Sequence, residues 1–376
     1  MKDAVDELAE TVAAPFEQAH AMPRSVYMSD DFLGEELEHV FAREWVCVGR
    51  IGQFQNKGDY VTADIAGRPI MVIRDGDGTL RAQSNVCLHR MSPLLNGQGN
   101  TKSIVCPYHA WTYNLDGQLR GAPAMTRNEG FSRDGYCLPQ IRCEVWEGWV
   151  MVTLNPGAPD LHAHLADVTK LVAPYEMQNY TQTFQERLNW NTNWKVLAEN
   201  FMESYHLPVC HADTIGGFVN LEEMDCPPGG PAYNYHAILK DPDAPLTNAH
   251  PSNTTLKGDL RRQTVLLTIY PALLITLTPG YFWYLCLTPD GPDRVDIIYG
   301  GGLSPDYVND ADAQQHFADL KDLLDRVNDE DRSCTEGVYR GLTSSLAKPG
   351  HLSHLERPIY EFATYLNDQI QKGRTG

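Results

Sequence analysis

The stretch that decides the fold runs from Cys87 to His109 and reads CLHRMSPLLNGQGNTKSIVCPYH. It opens with Cys-Leu-His and closes with Cys-Pro-Tyr-His, and sixteen residues separate the two motifs. Each motif offers one thiolate and one imidazole from a tight turn, and both groups are metal ligands. The spacing therefore predicts a metal centre held by Cys87, His89, Cys106 and His109.

Two kinds of centre fit cysteine and histidine ligands. Zinc is the simpler interpretation, but zinc fingers usually pair cysteine with cysteine and histidine with histidine. Here the two residue types alternate. A Rieske [2Fe–2S] centre needs this ligand set, because two cysteines hold one iron and two histidines hold the other, which raises the reduction potential. The alternation favours a [2Fe–2S] cluster over zinc.

A second polar cluster lies in Trp194–His211, WKVLAENFMESYHLPVCH. Apolar residues recur at helical spacing in its first half, and Pro208 predicts that the helix ends just before it. The polar side chains fall on one stripe of this helix or just beyond it: Asn200, Glu203, His206 and His211. A carboxylate and two imidazoles that converge are costly to bury without a ligand. We interpret the cluster as most of an iron site.

The same Glu-x-x-His spacing also arises by chance. Glu17 with His20 and Glu36 with His39 share it, in a region that resembles a solvated helix. The spacing alone therefore does not establish a metal site. A di-iron carboxylate centre would need a second buried pair and further acids, which these pairs are not expected to supply.

Composition excludes several classes of partner. The 376 residues carry a net charge of −19, with 42% hydrophobic and 10% aromatic residues, as in ordinary globular proteins. The negative charge argues against nucleic acid and anionic membranes, and no apolar run approaches the roughly 20 residues that span a bilayer. The acidic N-terminus does not resemble a signal peptide, and nine cysteines do not suggest a disulfide framework. We expect a cytoplasmic protein.

Periodicity divides the chain into three parts. Residues 1–44 are expected to be helical, residues 45–155 to form a small β domain, and residues 156–376 to combine helices with a strand-rich block. A long helix is predicted from about 311 to 345. The loop-rich segment 221–260 is typical of an entrance or lid over a site.

On its two ligand motifs the chain resembles the oxygenase α subunit of Rieske non-haem iron oxygenases, which include betaine/carnitine-type and ring-hydroxylating members. The resemblance extends from Trp45 to the C-terminal PGHLSHLERPIYEFATYL. It implies an α+β fold with a small all-β Rieske domain and a helix-grip-like catalytic domain, whose antiparallel sheet is covered by helices. It also implies N-terminal helices packed on the catalytic domain, mononuclear Fe(II) beside the cluster, and O₂ as co-substrate.

The family pattern makes His206 and His211 iron ligands and requires a distant aspartate as the third, a facial triad that leaves positions open for O₂. In the long helix, the apolar stripe through Val327 continues to Asp331, which is therefore the predicted ligand. An ion pair of Asp331 with Arg340 or another base is the alternative. The other acids of this helix are expected to be solvated: Asp325, Asp329 and Glu330.

The resemblance also assigns roles beside the iron. Glu203 would link His206 to His109 of a neighbouring subunit and orient the His206 ring. Electrons would then cross between subunits, which implies a ring and an expected homotrimer. Asn200 is expected to support the iron site without binding tightly, and a helix-stabilising hydrogen bond is the alternative.

The electron source is expected to lie outside this chain. No Gly-x-Gly-x-x-Gly motif follows a strand, so we expect no NAD or flavin site. NAD(P)H is then expected to act only through a separate reductase, directly or with a ferredoxin.

Glu203 also bears on the substrate. Many ring-dihydroxylating members carry aspartate at that position, whereas glutamate resembles members that oxidise betaines and carnitine. A quaternary ammonium needs an aromatic cage, and the candidates are Tyr205, Tyr233, Tyr235, Tyr281 and Trp283, although sheet aromatics usually form core. Arg261 or Arg262 is a candidate anchor for a substrate carboxylate, with solvent exposure as the alternative.

The leading prediction is a monooxygenase that hydroxylates or N-demethylates a small quaternary amine. Hydroxylation of an aromatic carboxylate ring, which includes dioxygenation, is the alternative within the class. A Rieske electron carrier without oxygenase activity, using only the Cys/His centre, is the alternative outside it.

Overall fold

The structure is a computed structural model and describes residues 3–240, 242 and 247–375. It divides into two compact units, one formed by Met1–Val40 with His162–Gly376 and the other by Phe41–Leu161. The second unit extends beyond the predicted 45–155 at both ends, because the flanking segments bond to each other. The Thr153 hydroxyl donates to the Arg43 carbonyl, and the Trp45 indole N–H donates to the carbonyl of Pro159.

The first unit begins with three helices, α1 (Ala4–Val12), α2 (Arg24–Met28) and α3 (Asp30–Glu36). The side chain of Asp3 caps α1 and that of Ser29 caps α3. The chain then enters the second unit.

The second unit is built from short strands: β1 (Val46–Arg50), β2 (Asp59–Ile65), β3 (Arg68–Arg74), β4 (Leu80–Ser84), β5 (Gln98–Asn100), β6 (Ile104–Val105), β7 (Thr112–Tyr113), β8 (Leu119–Gly121), β9 (Gln140–Trp146) and β10 (Trp149–Thr153). Within the described residues one sheet has the order β1-β10-β9-β4-β3-β2-β5, and a smaller one the order β6-β7-β8. The first Cys/His motif follows β4 and the second joins β6 to β7. A buried cluster that includes Trp111 and Tyr113 supports both motifs.

The remainder of the first unit contains α4 (Leu161–His164), α5 (Ala166–Val172), β11 (Thr181–Trp190), α6 (Trp194–Phe201), α7 (Leu207–Cys210), β12 (Met224–Asp225), β13 (Tyr233–Leu239), β14 (Gln263–Ile269), β15 (Leu273–Leu277), β16 (Tyr281–Pro289), β17 (Val295–Leu303), α8 (Pro305–Val308), α9 (Ala313–Leu342) and α10 (Arg357–Thr375). The strands form an antiparallel sheet of order β11-β17-β16-β15-β14-β13-β12. Helix α9 packs against α6, β11 and β17, and α10 packs against α1 and α3. The predicted α+β class is confirmed.

The end of the helix at Trp194 differs from the prediction. Helix α6 ends at Phe201, and Pro208 lies in the first turn of α7. Proline is tolerated there because the first N–H groups of a helix have no partner within it. The polar residues of this segment therefore do not share one helical stripe, although the turn after α6 still brings them together.

The prediction that Glu36 lies on a solvated face is wrong. Its side chain is fully buried, and Oε1 lies 2.8 Å from Nζ of the equally buried Lys195. The Trp194 indole N–H donates to the same carboxylate. The local spacing of residues cannot predict this ion pair, because Lys195 is far from Glu36 in sequence. Within the described part of the chain, no helix is both long and apolar enough to cross a membrane.

Candidate metal centres

The two Cys/His motifs have the same backbone. The Met91 N–H donates to the Cys87 carbonyl at 3.0 Å, and the Ala110 N–H donates to the Cys106 carbonyl at 3.1 Å. Met91 and Ala110 have φ values of 55° and 57°, in a left-handed region that residues other than glycine rarely adopt. The surrounding fold therefore holds two matching turns.

The side chains of these turns fit a metal cluster. The Cys87 and Cys106 thiols are buried, the His89 ring stacks on Trp111, and the His89 and His109 ring centroids are 4.7 Å apart. His89 Nδ1 is buried without a hydrogen-bond partner among the described residues. A buried polar atom without a partner is costly. Two thiols and two imidazoles at this point would hold a [2Fe–2S] cluster.

A tyrosine supports the first cysteine. The Tyr113 hydroxyl lies 3.3 Å from Cys87 Sγ and accepts the Leu88 backbone N–H at 3.0 Å. Burial and the adjacent Cys87 thiol raise the pKa of Tyr113, so the hydroxyl keeps its proton. Hydrogen bonds to ligating sulfur are one of the means by which a protein sets the potential of a cluster.

The second site joins three residues from the two ends of α7 and from α9. His206 and His211 flank α7, Asp331 lies on α9, and their ligand atoms all lie within 4.8 Å of one another. The two Nε2 atoms are 3.2 Å apart, and Asp331 Oδ1 is 3.0 Å from Nε2 of His211 and 3.5 Å from Nε2 of His206. Ligands at about 2.1 Å from one ion and at right angles lie about 3 Å apart. The spacing fits a single metal ion.

Hydrogen bonds orient both imidazoles toward such an ion. His206 Nδ1 donates to Glu203 Oε1 at 2.5 Å, and His211 Nδ1 donates to Glu330 Oε2 at 2.7 Å. A neutral ring with its proton on Nδ1 has a lone pair on Nε2. Two lone pairs then face the Oδ1 atom of Asp331, which is buried without a hydrogen-bond partner among the described residues. A cation relieves this repulsion.

The pKa values agree with this interpretation. Burial lowers the pKa of His206, but Asp331 and Glu203 outweigh burial and raise it to about 10. Burial raises the pKa of Asp331, but the two histidines hold it below its usual range. The site is therefore arranged to attract positive charge, and a divalent metal would take the place of the proton.

Two neighbours complete the surroundings of His206. Asn200 Nδ2 lies 3.2 Å from His206 Nε2, beside the ligand atom and not along the helix. The other Glu203 oxygen accepts the backbone N–H groups of Tyr205 and His206. Glu203 thereby shapes the turn that carries His206 as well as orienting its ring.

The structure corrects two statements about the acids of α9. Glu330 was expected to be solvated, but it is bonded to His211 and also accepts the Thr214 hydroxyl. No sequence signal connects Glu330 to His211, which lies 119 residues away. The alternative pairing of Asp331 with Arg340 is also wrong, because Arg340 is exposed and the nearest charged partners of Asp331 are the two histidines.

A cavity of about 160 Å³ adjoins the triad. One side is formed by α6, α7 and α9, and the other by one face of the sheet. Its aromatic lining residues are Phe201, Tyr281 and Trp283. A cavity of about 150 Å³ accommodates benzene, so the space suits a small substrate.

The proposed cage is only partly in place. Tyr281 and Trp283 line the cavity, whereas the predictions for Tyr205, Tyr233 and Tyr235 are wrong. Tyr205 is 54% exposed. Tyr233 and Tyr235 lie an odd number of residues from Ile238 along β13, and successive side chains of a strand point to opposite faces. Ile238 lines the cavity, so the two tyrosines lie on the other face of the strand.

The arginines proposed as carboxylate anchors are also engaged elsewhere. Arg261 donates to the backbone carbonyls of His250, Asn253 and Leu256. Arg262 donates to the carbonyl of Lys240. Neither arginine is among the cavity-lining residues.

Two protein-family models match this chain. A model described as the ring-hydroxylating alpha subunit (catalytic domain) matches residues 177–372, and one described as the Rieske [2Fe–2S] domain matches residues 44–142. The chain belongs to the ring-hydroxylating oxygenase α-subunit family. This Rieske oxygenase therefore uses a [2Fe–2S] cluster, a mononuclear iron and O₂, and the cofactor prediction is confirmed. The assignment of individual ligands stays a prediction.

Individual relatives are similar over different lengths. The glycine betaine monooxygenase oxygenase subunit of Chromohalobacter salexigens is 33% identical over 57% of this Rieske oxygenase, which spans 48% of that relative. The carnitine monooxygenase oxygenase subunit of Acinetobacter pittii is 27% identical over 91% of this chain and 90% of its own.

A solved quaternary ammonium Rieske monooxygenase, studied for carnitine oxidation by gut microbiota and inter-subunit electron transfer, has the same fold. Its TM-score is 0.81 at 22% identity, over 96% of this chain and 97% of its own.

Proposed function

We propose that this oxygenase hydroxylates or oxidatively N-demethylates a small quaternary ammonium compound, with electrons from NAD(P)H delivered by a separate reductase, directly or through a ferredoxin. The observation that carries the proposal is the junction of His206, His211 and Asp331 with a small cavity walled by aromatic rings. Relatives named for glycine betaine and carnitine support the substrate class.

The residues of the site have different roles in the proposed reaction. His206, His211 and Asp331 would hold the iron, which supplies O₂ activation when bound. Glu203 and Glu330 keep the imidazole protons on Nδ1 and fix the rings. The aromatic wall offers a cation–π surface for an ammonium group, and the apolar lining excludes bulk water.

We also propose that electrons pass between subunits of a ring, expected to be a trimer. Met91 and Tyr108 are exposed beside the Cys/His turns, and Tyr205 and Val209 are exposed beside the iron site. Two different apolar patches on one chain suit a head-to-tail contact that closes into a ring. In that contact Glu203 would link His206 to His109 of the next subunit.

Substrate class is tested by oxygen consumption with NADH and a generic reductase. We expect substrate-dependent uptake with betaines, carnitines or methylated amino acids, and release of formaldehyde wherever an N-methyl group is the target. Uptake only with aromatic carboxylates, without formaldehyde, would establish the alternative reaction instead. Iron and sulfide analysis should give one iron beyond those of the cluster, and zinc or a cluster alone would refute the two-site assignment.

Transfer between subunits is tested by co-expression of C106S, which disables the cluster, with H206A, which disables the iron site. Each variant alone should be inactive. In a randomly mixed ring about a quarter of the junctions pair an intact cluster with an intact iron site, so activity should recover toward that fraction. The expected iron content of C106S and cluster absorption of H206A confirm that each chain folds. No recovery in mixed rings would refute the proposal.

A further inference from the structure

The sheet wall of the cavity carries polar groups that the proposed chemistry does not use. Ile238 and Thr264 are cross-strand partners, and Thr276 is paired with Leu266 and with Trp283. Lys240 lies one residue beyond the end of β13, where its backbone N–H still donates to the Arg262 carbonyl at 2.9 Å. All six residues line the cavity, so these side chains form one continuous surface opposite the iron-site helices.

Three polar atoms of this surface are buried hydrogen-bond donors without partners among the described residues. Thr264 Oγ1, Thr276 Oγ1 and Trp283 Nε1 are buried and have no hydrogen-bond partner in the part of the chain that the structure describes. Lys240 is 8% exposed, and its side chain lines the same cavity. Each unpaired buried group carries a desolvation cost. A hydroxyl, an indole N–H and an ammonium group together suit a ligand rich in acceptors.

The charge of the lining decides what that ligand is. Lys240 is the one lysine or arginine among the described lining residues, and Arg261 and Arg262 are bonded to backbone carbonyls. The acids of the cavity, Glu203 and Asp331, are bonded to or face the histidines on the opposite side. The sheet wall therefore carries a cationic side chain into the cavity of a chain whose net charge is −19.

We infer that Lys240, assisted by the Thr264 and Thr276 hydroxyls and the Trp283 N–H, binds the carboxylate of the substrate. The inference deepens the proposed function and rests on it for the location of the substrate. It specifies zwitterionic betaines, with a cation near the aromatic rings and a carboxylate on the sheet wall, over quaternary amines that carry no acid. Lys240 is then a specificity-determining residue, which selects the substrate and orients it toward the iron site.

The test measures binding by calorimetry without reductase, so that no turnover occurs. Glycine betaine and choline share a trimethylammonium group and differ in the carboxylate, and benzoate and benzyl alcohol form a second pair with the same difference. In the pair whose members bind to the wild type, we expect K240M to weaken binding of the carboxylate by about 10- to 100-fold, the range for a hydrogen bond to a charged group. The affinity for the ligand without a carboxylate should not change. T264V should show a smaller loss of the same kind.

K257M is the matched control, because Lys257 is exposed and bonds to a nearby carbonyl. It should bind every ligand as the wild type does. An equal loss of both members of a pair in K240M, or no difference between K240M and wild type, overturns the inference.

The experiment distinguishes failure of the quaternary-amine proposal from failure of the carboxylate-site inference. If choline binds and is oxidised as well as glycine betaine, and K240M changes nothing, the quaternary-amine proposal stands and the carboxylate site is refuted. If benzoate alone is bound and oxidised, and K240M weakens it selectively, the carboxylate site stands and the quaternary-amine proposal is refuted.

Discussion

Removal of the Glu330 carboxylate should weaken iron binding without disturbing the ligands themselves. His211 is 1% exposed, and its Nδ1 donates to Glu330 at 2.7 Å. A hydrogen bond to a charged group contributes about 1.5–3 kcal/mol and a neutral one about 0.5–1.5 kcal/mol. E330Q keeps an acceptor but loses the charge, a difference of about 1–1.5 kcal/mol. We therefore expect its iron dissociation constant to rise about tenfold.

E330A removes the acceptor as well, and the N–H of a buried ring is left unpaired. The added desolvation cost brings the expected loss to about 100-fold, the upper end for residues that orient metal ligands. The affinity for ferrous iron is measured anaerobically by competition with a chelator, and the visible absorption of the cluster confirms that the Rieske domain is intact.

Two controls isolate the effect. Asp329 is the adjacent, exposed acid on α9, so D329N removes the same charge without touching His211 and should bind iron normally. T214V deletes the second donor to Glu330 and should have a small effect. Iron affinity of E330A equal to that of D329N would refute the argument that Glu330 fixes the His211 ring.

Further predictions concern stability, potential and pH. K195M leaves the Glu36 carboxylate buried and unpaired, so calorimetric unfolding should show a loss of about 3–5 kcal/mol. The double variant K195M/E36L should recover most of the lost free energy of unfolding, and a small loss in K195M alone would contradict the ion pair. Y113F removes the hydroxyl beside Cys87, which should stabilise the reduced cluster over the oxidised one by about 1 kcal/mol. Its loss should therefore lower the midpoint potential of the cluster by about 40 mV in a redox titration, and an unchanged potential would contradict this. Burial lowers the pKa of Lys240 to about 8, while burial, with the nearby His206 and Lys240, lowers the pKa of His236 to about 3. His236 therefore stays neutral as Lys240 loses its charge, so carboxylate affinity should fall as pH rises through about 8 in the wild type and stay flat in K240M.

The parts of the site that sequence could predict were those with a repeating pattern. The paired Cys/His turns have a ligand set that few other sites share, and the family match includes them. Asp331 interrupts an apolar helical stripe, and the structure brings it to the two histidines. Its role as an iron ligand stays a prediction.

The parts that could not be predicted depend on which face of an element meets the cavity. Tyr235 and Ile238 lie on opposite faces of β13, and both are apolar enough for a protein core. The alternation of side chains along the strand therefore does not predict which face lines the cavity. Lys240 resembles an ordinary loop-flanking lysine until the sheet register places it in the cavity. Glu36 and Glu330 were misassigned for a related reason, because their partners are distant in sequence and periodicity reports only the local face.

His211 has its two nitrogens held by consecutive residues of a single helix. Glu330 accepts from Nδ1, and Asp331 faces Nε2. Because these two residues share one turn of α9, a rotation of that helix would withdraw both partners together. The imidazole keeps its orientation while the helix keeps its place, so the packing of α9 against α6, β11 and β17 also decides which ring nitrogen carries the proton.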